Sequence, residues 1–288
     1  MPLLEENYYG KSRIRVMKVV REGQTHQVFE WNVGIYLTGD FTACFVAGDN
    51  TGLVATDTMK NTVYSVARTS SARTMEQFAL EVAQFLAERN PQVSTVRVTV
   101  EEKMWIRLKA ASADGTLEKH GSAFMQRGPE VTTTSVTVGG GAAQVTSGVK
   151  GLVILKTSHS AFAGFKRDEL TTLPETHDRL LGTEATIVWQ YGSHPADFAA
   201  TRRSIMSTLL TTFANHDSLS VQQTLYAMAG AVLATEPQVD ELTLTMPNRH
   251  NLSVDFGRFA PPFNQPNDNT IFVPQDEPHG QIHARVVR

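Results

Sequence analysis

TMEQFALEVAQFLAERNPQVSTVRVTVEE, Thr74 to Glu102, decides the fold when it is set against SVQQTLYAMAGAVLATEPQVDELTLTMPN, Ser220 to Asn248. In the first stretch Met75, Phe78, Ala79, Val82 and Leu86 recur at helical spacing behind a Thr74/Gln77 capping box. The helix gives way at Pro91, after which Val96, Val98 and Val100 alternate with Arg97 and Thr99 as in a half-buried strand. The second stretch repeats each feature: a Ser220/Gln223 box, an apolar stripe of Val221, Leu225, Met228, Ala229 and Val232, a break at Pro237, then Leu242, Leu244 and Met246 where the valines stood. One helix-to-strand module occurs twice.

Working outward, each half carries strand patterns ahead of its helices. Ile14, Val16, Phe29, Trp31, Val33, Ile35 and Leu37 mark the first half, and Val153 to Leu155 with Ala185 to Trp189 the second. Further helices are expected at Thr56 to Ala67 and Phe198 to Phe213. Short links and the lack of βαβ alternation make the class α+β with antiparallel sheets. The glycine run Gly139 to Gly141 reads as the seam, giving modules at residues 1–138 and 142–288.

Composition narrows the function. A chain of 288 residues favours two ordinary domains, and 41% apolar with 19% charged residues is globular usage. No apolar run approaches the roughly 20 residues that cross a bilayer, and Met1 to Tyr9 lacks the basic start and apolar stretch of a secretory signal. A cytoplasmic protein is expected. A formal charge of −3 with scattered Lys and Arg gives no basic face for nucleic acid. The single cysteine, Cys44, sits in an apolar stretch and reads as a small core residue, which removes cysteine-based metal sites.

Generic motif searches return little. Gly139 to Gly141 lacks the Lys-Ser or Lys-Thr of a phosphate loop, no GxSxG elbow exists, and Pro278 and Gly280 make a metal-binding helix through His279 and His283 improbable, so a surface strand or turn is expected there. More specific are polar clusters in apolar surroundings. Lys11 immediately precedes a strand, and Thr56 and Asp57 stand at a strand-to-helix junction where they have the chemistry of helix caps. Phe162 and Arg179 bracket SAFAGFKRDELTTLPETHDR; Gln222 lies in the first turn of a helix; Asn248 and His250 follow a strand. Each has an ordinary structural explanation when taken singly: solvated cation, cap, core ring, salt bridge.

Taken in order, YGK, VATDTMKNT, SAFAGFKRDELTTLPETHDR, SVQQTLYAMA, MPNRH and FVPQDEPHGQI resemble the motifs of the urate oxidases over nearly the whole chain from Tyr9. Three departures are visible. The Tyr191 to Asp197 connection looks shorter than in eukaryotic relatives, His177 stands where the family often has an aromatic residue, and the tail ends Ala-Arg-Val-Val-Arg in place of a peroxisomal address. The short connection and the tail point to a bacterial, cytoplasmic form, while His177 leaves Arg179 in place.

The resemblance implies two tunnelling-fold modules, with antiparallel sheets carrying helices on one face and closing into barrels between subunits. It implies a homotetramer with active sites at subunit interfaces. Lys11, Thr56 and Asp57 would then come from one subunit, and Phe162, Arg179, Val221, Gln222, Asn248 and His250 from its neighbour. It also implies oxidation of urate by O2 and water to 5-hydroxyisourate and hydrogen peroxide without metal or flavin. Lys11, Thr56 and His250 would form the proton relay. Arg179, Gln222 and the backbone N–H groups of Val221, Thr56 and Asp57 would hold the purine edge, Phe162 its face, and Asn248 with Thr56 the dioxygen. Two competing readings keep the fold: a zinc-dependent pterin enzyme, disfavoured by the missing metal cluster, and a purine-binding barrel without activity.

Overall fold

The computed structural model describes residues 2–112 and 114–288. The chain divides into two compact units, Met1–Val149 with Gln190–Ala199, and Lys150–Trp189 with Ala200–Arg288.

In the first unit β1 (Tyr9–Glu22), β2 (Thr25–Gly39), β3 (Val93–Ala111) and β4 (Leu117–Val138) form an antiparallel meander, and α1 (Thr42–Ala47), α2 (Thr56–Thr69) and α3 (Met75–Arg89) lie between β2 and β3 in the chain. Register follows the hydrophobic alternation. Ile14 stands opposite Val33 and Val33 opposite Val100, so one sheet face is apolar from strand to strand. Helix α3 covers that face with Met75, Phe78, Ala79, Val82 and Leu86, all buried as the periodicity predicts. Phe78 stacks on Trp31 at 4.4 Å between ring centres, and the Trp31 indole N–H donates to Glu102 at 3.0 Å. Each large side chain buried in this way contributes roughly 1.5–3 kcal/mol.

The second unit orders its strands β5 (Gln144–Lys156, from Lys150 onward), β6 (Leu181–Tyr191, up to Trp189), β7 (Val239–Ser253) and β8 (Phe272–Val287). Strands β7 and β8 pair antiparallel, and α5 (Val221–Thr235) packs on both, while α4 (Phe198–Asn215) precedes it. Its stripe of Val221, Leu225, Met228, Ala229 and Val232 is buried, as are Leu242, Leu244 and Met246 beneath it. The class is therefore α+β.

Local expectations need correction in four places. Lys11 lies inside β1, and Asn248 and His250 lie inside β7, because both strands run further than their apolar alternation. Thr56 and Asp57 follow a loop and α1, so no strand ends there, and the cap of α2 is Ala55 with no side-chain bond. Cys44 is only half-buried, on a short helix with no buried residue, where its Sγ lies 3.2 Å from Asn50 Oδ1. His279 and His283 lie on β8, in keeping with the strand reading. Among the described residues no helix is long and apolar enough to cross a membrane.

Candidate active site

In the first unit the site residues are placed by an irregular strand. Lys11 faces Ile35 across the ladder and Ile14 faces Val33, so β1 holds one residue more than β2 over this span. Arg13 takes the left-handed conformation at φ 59° that such a bulge needs. In a regular strand Lys11 would point away from the face that holds Ile14. The extra residue brings Lys11 back to that face, opposite fully buried Ile35, where α2 begins. Gly10 is required here, since a Cβ on it would stand 1.9 Å from the Ile35 carbonyl oxygen.

The start of α2 is tied to the same strand. The Tyr9 hydroxyl accepts from the Val54 N–H at 2.8 Å, and the Tyr9 ring meets Phe41 edge-on at 4.8 Å. Burial raises the Tyr9 pKa, which keeps the hydroxyl neutral. Two residues on, Thr56 and Asp57 open α2. Asp57 bonds Lys60, and Asn61 donates to it at 2.9 Å. Its carboxylate is held below the usual range first by Lys60 and, more weakly, by the charge of Lys11. That coupling places Lys11 near the first turn of α2. With Ala55 as cap, the capping role expected of Thr56 and Asp57 falls away.

In the second unit a lattice of short segments ties Phe162, Arg179 and the approach to α5 together. Phe162 N–H donates to Thr176 O at 2.8 Å and Thr176 N–H returns to Phe162 O at 3.0 Å, while Arg179 N–H donates to Ser160 O at 2.9 Å. The 16 residues between Phe162 and Arg179 thus close into a loop that brings the guanidinium carbon to 5.3 Å from the Phe162 ring centre. The ring also stacks on Phe165 at 5.0 Å. Burial lowers the Arg179 pKa, and its Nε is buried without a hydrogen-bond partner. A half-desolvated guanidinium with an unmet donor favours a planar anionic partner. Arg179 also lines a cavity of about 530 Å³ with Thr176, Asn251, Thr270 and Phe272.

The same lattice reaches α5. Ser218 N–H donates to His159 O at 2.9 Å and Ala161 N–H to Ser218 O at 2.7 Å, two residues before the helix cap. Ser220 caps α5 by accepting from Gln223 N–H at 3.1 Å, and Gln223 Oε1 accepts from Leu219 N–H at 2.9 Å. Gln222 is exposed in this first turn, Val221 is buried, and the turn contains no acidic residue. Asn248 and His250 follow on β7, opposite Gly280 and Gln275. The excess residues of this register shift fall on β8, so β7 keeps its alternation and Asn248 and His250 continue the side of Leu244 and Met246.

The candidate residues thus divide between the units: Lys11, Thr56 and Asp57 lie in the first, and Phe162, Arg179, Val221, Gln222, Asn248 and His250 in the second, where Phe162 and Arg179 meet directly, Val221 and Gln222 are tied to them through the 216–220 connection, and Asn248 and His250 are placed by β7. Sequence reading missed the positioning roles of Tyr9 and of the 216–220 connection, for which no short motif exists. Among the described residues no group of three or more His, Cys, Asp or Glu side chains is arranged to hold a metal ion.

Comparison with known proteins supplies the family. The uricase profile matches residues 7–137 and 145–283. The chain is 38% identical over 286 residues to the uricase of Arthrobacter globiformis, covering 99% of this chain and 90% of that one. With the uricase of Dictyostelium discoideum it is 34% identical over 291 residues, covering 100% and 98%. The crystal structure of the Arthrobacter globiformis uricase matches with a TM-score of 0.92 at 38% identity, over 100% of this chain and 96% of that one. A uricase from Bacillus fastidious shares the fold at a TM-score of 0.84 and 24% identity, over 99% and 94% of the two chains.

Proposed function

The chain belongs to the uricase family, and on that premise we propose that it oxidises urate with O2 and water to 5-hydroxyisourate and hydrogen peroxide, drawing the electrons from urate itself without metal or flavin. The observation that carries the substrate reading is Arg179, half-desolvated with an unmet Nε donor beside the Phe162 ring. Urate is a flat anion with acceptors and donors around its edge. The guanidinium fork meets one edge, the Gln222 amide matches a carbonyl and its neighbouring N–H, and Phe162 stacks on the face. The first turn of α5, with no acid of its own, leaves the positive end of a helix dipole for the anion.

The reaction needs an electron-rich substrate, because dioxygen reacts poorly with closed-shell molecules. In this reading Lys11 polarises the Thr56 hydroxyl, and His250 completes a relay that removes a proton from urate. The bulge that turns Lys11 toward α2 supports its share of this role. Asn248 and Thr56 hold dioxygen and then water above the ring. The backbone N–H groups of Val221, Thr56 and Asp57 complete the edge contacts.

The reading places two tandem tunnelling-fold modules, 1–138 and 142–288, in a homotetramer of closed barrels. Lys11, Thr56 and Asp57 of one subunit meet the Arg179 set of its neighbour. The protein acts in the cytoplasm.

Loss of urate absorbance with peroxide assayed in parallel tests the reaction, using chelator-treated protein in air-saturated buffer. Stoichiometric peroxide is expected; a folded protein that leaves urate intact sinks the assignment. Lys11→Ala is expected to lower kcat about 100-fold or more while inhibitor affinity holds, and Arg179→Ala to damage both. Equal effects on both parameters in the lysine variant refute the relay.

A further inference from the structure

A lysine with no place in the chemistry sits behind the substrate-binding half of the site. Lys156, the last residue of β5, donates through Nζ to the His216 carbonyl and, at 3.4 Å, to the Phe213 carbonyl. These carbonyls end α4, where helix geometry leaves acceptors unmet. The next residue, Asp217, accepts from or shares a proton with His159 Nδ1 at 2.8 Å, and His159 holds a left-handed φ of 58°. Ser218 follows, pairing with both His159 and Ala161 and lying only 1% exposed like its bridge partner Ser160. The connection 216–220 is thus held at its start by Lys156 and along its length by 159–161. It delivers the cap of α5 at its end.

We propose that Lys156 is a positioning residue for substrate binding: by fixing the end of α4 it sets the 216–220 connection, and through it the register of Phe162 and Arg179 against Gln222. Phe162 and Arg179 hang on Ser160 and Ala161, which hang on Ser218, and Gln222 begins four residues after Ser218. A helix end left unheld therefore loosens the one connection to which both halves of the substrate clasp are tied, and with it the precision of their mutual register. The proposal rests on the urate reading of those residues for its kinetic test, and on the hydrogen bonds alone for its structural one.

The molecule contains its own control. In the first unit Lys18 of β1 donates to the Ser70 carbonyl at 2.5 Å, at the end of α2. Burial lowers the pKa of both lysines; the charge of Arg73 adds to the fall at Lys18, and that of Asp217 opposes it at Lys156. The two bonds do the same local work. Only the connection after α4 leads to a helix whose first turn holds a proposed substrate residue, Gln222.

The test compares Lys156→Met, Lys156→Arg and Lys18→Met in the full chain by melting temperature, urate kinetics and amide hydrogen exchange. Lys156→Met is expected to raise KM about fivefold with kcat within about twofold, and Lys156→Arg to restore KM. Lys18→Met should lower the melting temperature by a similar amount and leave KM unchanged. Exchange at the Ala161, Arg179 and Ser218 amides should quicken in Lys156→Met alone. Equal KM changes in Lys156→Met and Lys18→Met, or unchanged exchange at those amides, overturn the proposal. If Lys156→Met does not fold, Asp217→Ala decides, with a KM rise of about twofold expected and no rise refuting it. A wild-type protein that fails to oxidise urate while exchange still quickens in Lys156→Met breaks the substrate reading and leaves the clamp standing.

Discussion

The first turns of α3 and α5 are built from the same local instructions and differ in the charge that meets the helix end. Thr74 accepts from Gln77 N–H at 3.3 Å, and Ser220 accepts from Gln223 N–H at 3.1 Å. In both the glutamine reaches back past the cap, to Arg73 N–H at 3.2 Å and to Leu219 N–H at 2.9 Å. Between cap and glutamine the two differ. Glu76 in α3 is fully buried and accepts from Ser147 Oγ at 2.7 Å, whereas Gln222 in α5 is exposed and its turn has no acid. The positive end of α3 is thus met by its own carboxylate, whereas the first turn of α5 has no acid to meet it, as the proposed binding of an anion there requires.

Placing a carboxylate in α5 tests that contrast most severely. Gln222→Glu puts a negative charge against an anionic substrate and loses the amide N–H, so urate KM should rise about 100-fold or more. Gln222→Ala, which only leaves the purine edge unpaired, should raise KM about 10-fold to 100-fold at an unchanged melting temperature. Steady-state urate kinetics beside thermal unfolding read both. Equal KM values for the two variants would show that charge at this turn is irrelevant.

The reverse experiment belongs to α3. Glu76→Ala leaves Ser147 without its acceptor in a closed core, at a cost of roughly 1–3 kcal/mol. A fall in melting temperature of about 2–4 °C per kcal/mol follows, with urate KM unmoved. A KM change as large as that of Gln222→Ala would mean that α3 also serves the substrate, and the contrast would collapse.

The parts that could be read in the sequence are those whose physics is local. Both capping boxes, both apolar stripes and the strand alternations at Val96 to Val100 and Leu242 to Met246 are where the periodicities put them, since each depends on neighbours within a turn or two. What escaped is set by long-range pairing. The bulge that re-aims Lys11 exists only in the register of β1 against β2, and no residue in YGKSRI announces it. Nothing in the sequence singles out Lys156, whose bonds exist only once the end of α4 is placed beside β5. Thr56 and Asp57 read as caps because their chemistry suits that role, and only the backbone shows that Ala55 holds the position. Cys44 failed for a related reason: apolar neighbours suggested a core, yet its helix is too short to bury a face. The proposed site residues are named by family resemblance and not by spacing, because each is an ordinary residue whose surroundings are set by segments far along the chain.

The finest cut through the comparison is the pair of caps. If the two helix starts share one local code, then Thr74→Ala and Ser220→Ala should cost the same, about 1 kcal/mol each. Thr74 is the more buried of the two, at 4% exposed, so its deletion also strips a methyl from the core and sets an upper bound on the difference. Thr74→Ser separates those terms, keeping the hydroxyl and losing the methyl. Chemical denaturation of the four proteins, wild type and three variants, gives the costs directly. Equal cap terms after that correction would place the functional divergence of α3 and α5 wholly in Glu76 and Gln222. A Ser220 term larger by more than about 0.5 kcal/mol would instead show that the α5 cap draws extra strength from the 216–220 connection, and that positioning of the substrate residues reaches into the stability of the helix that carries them.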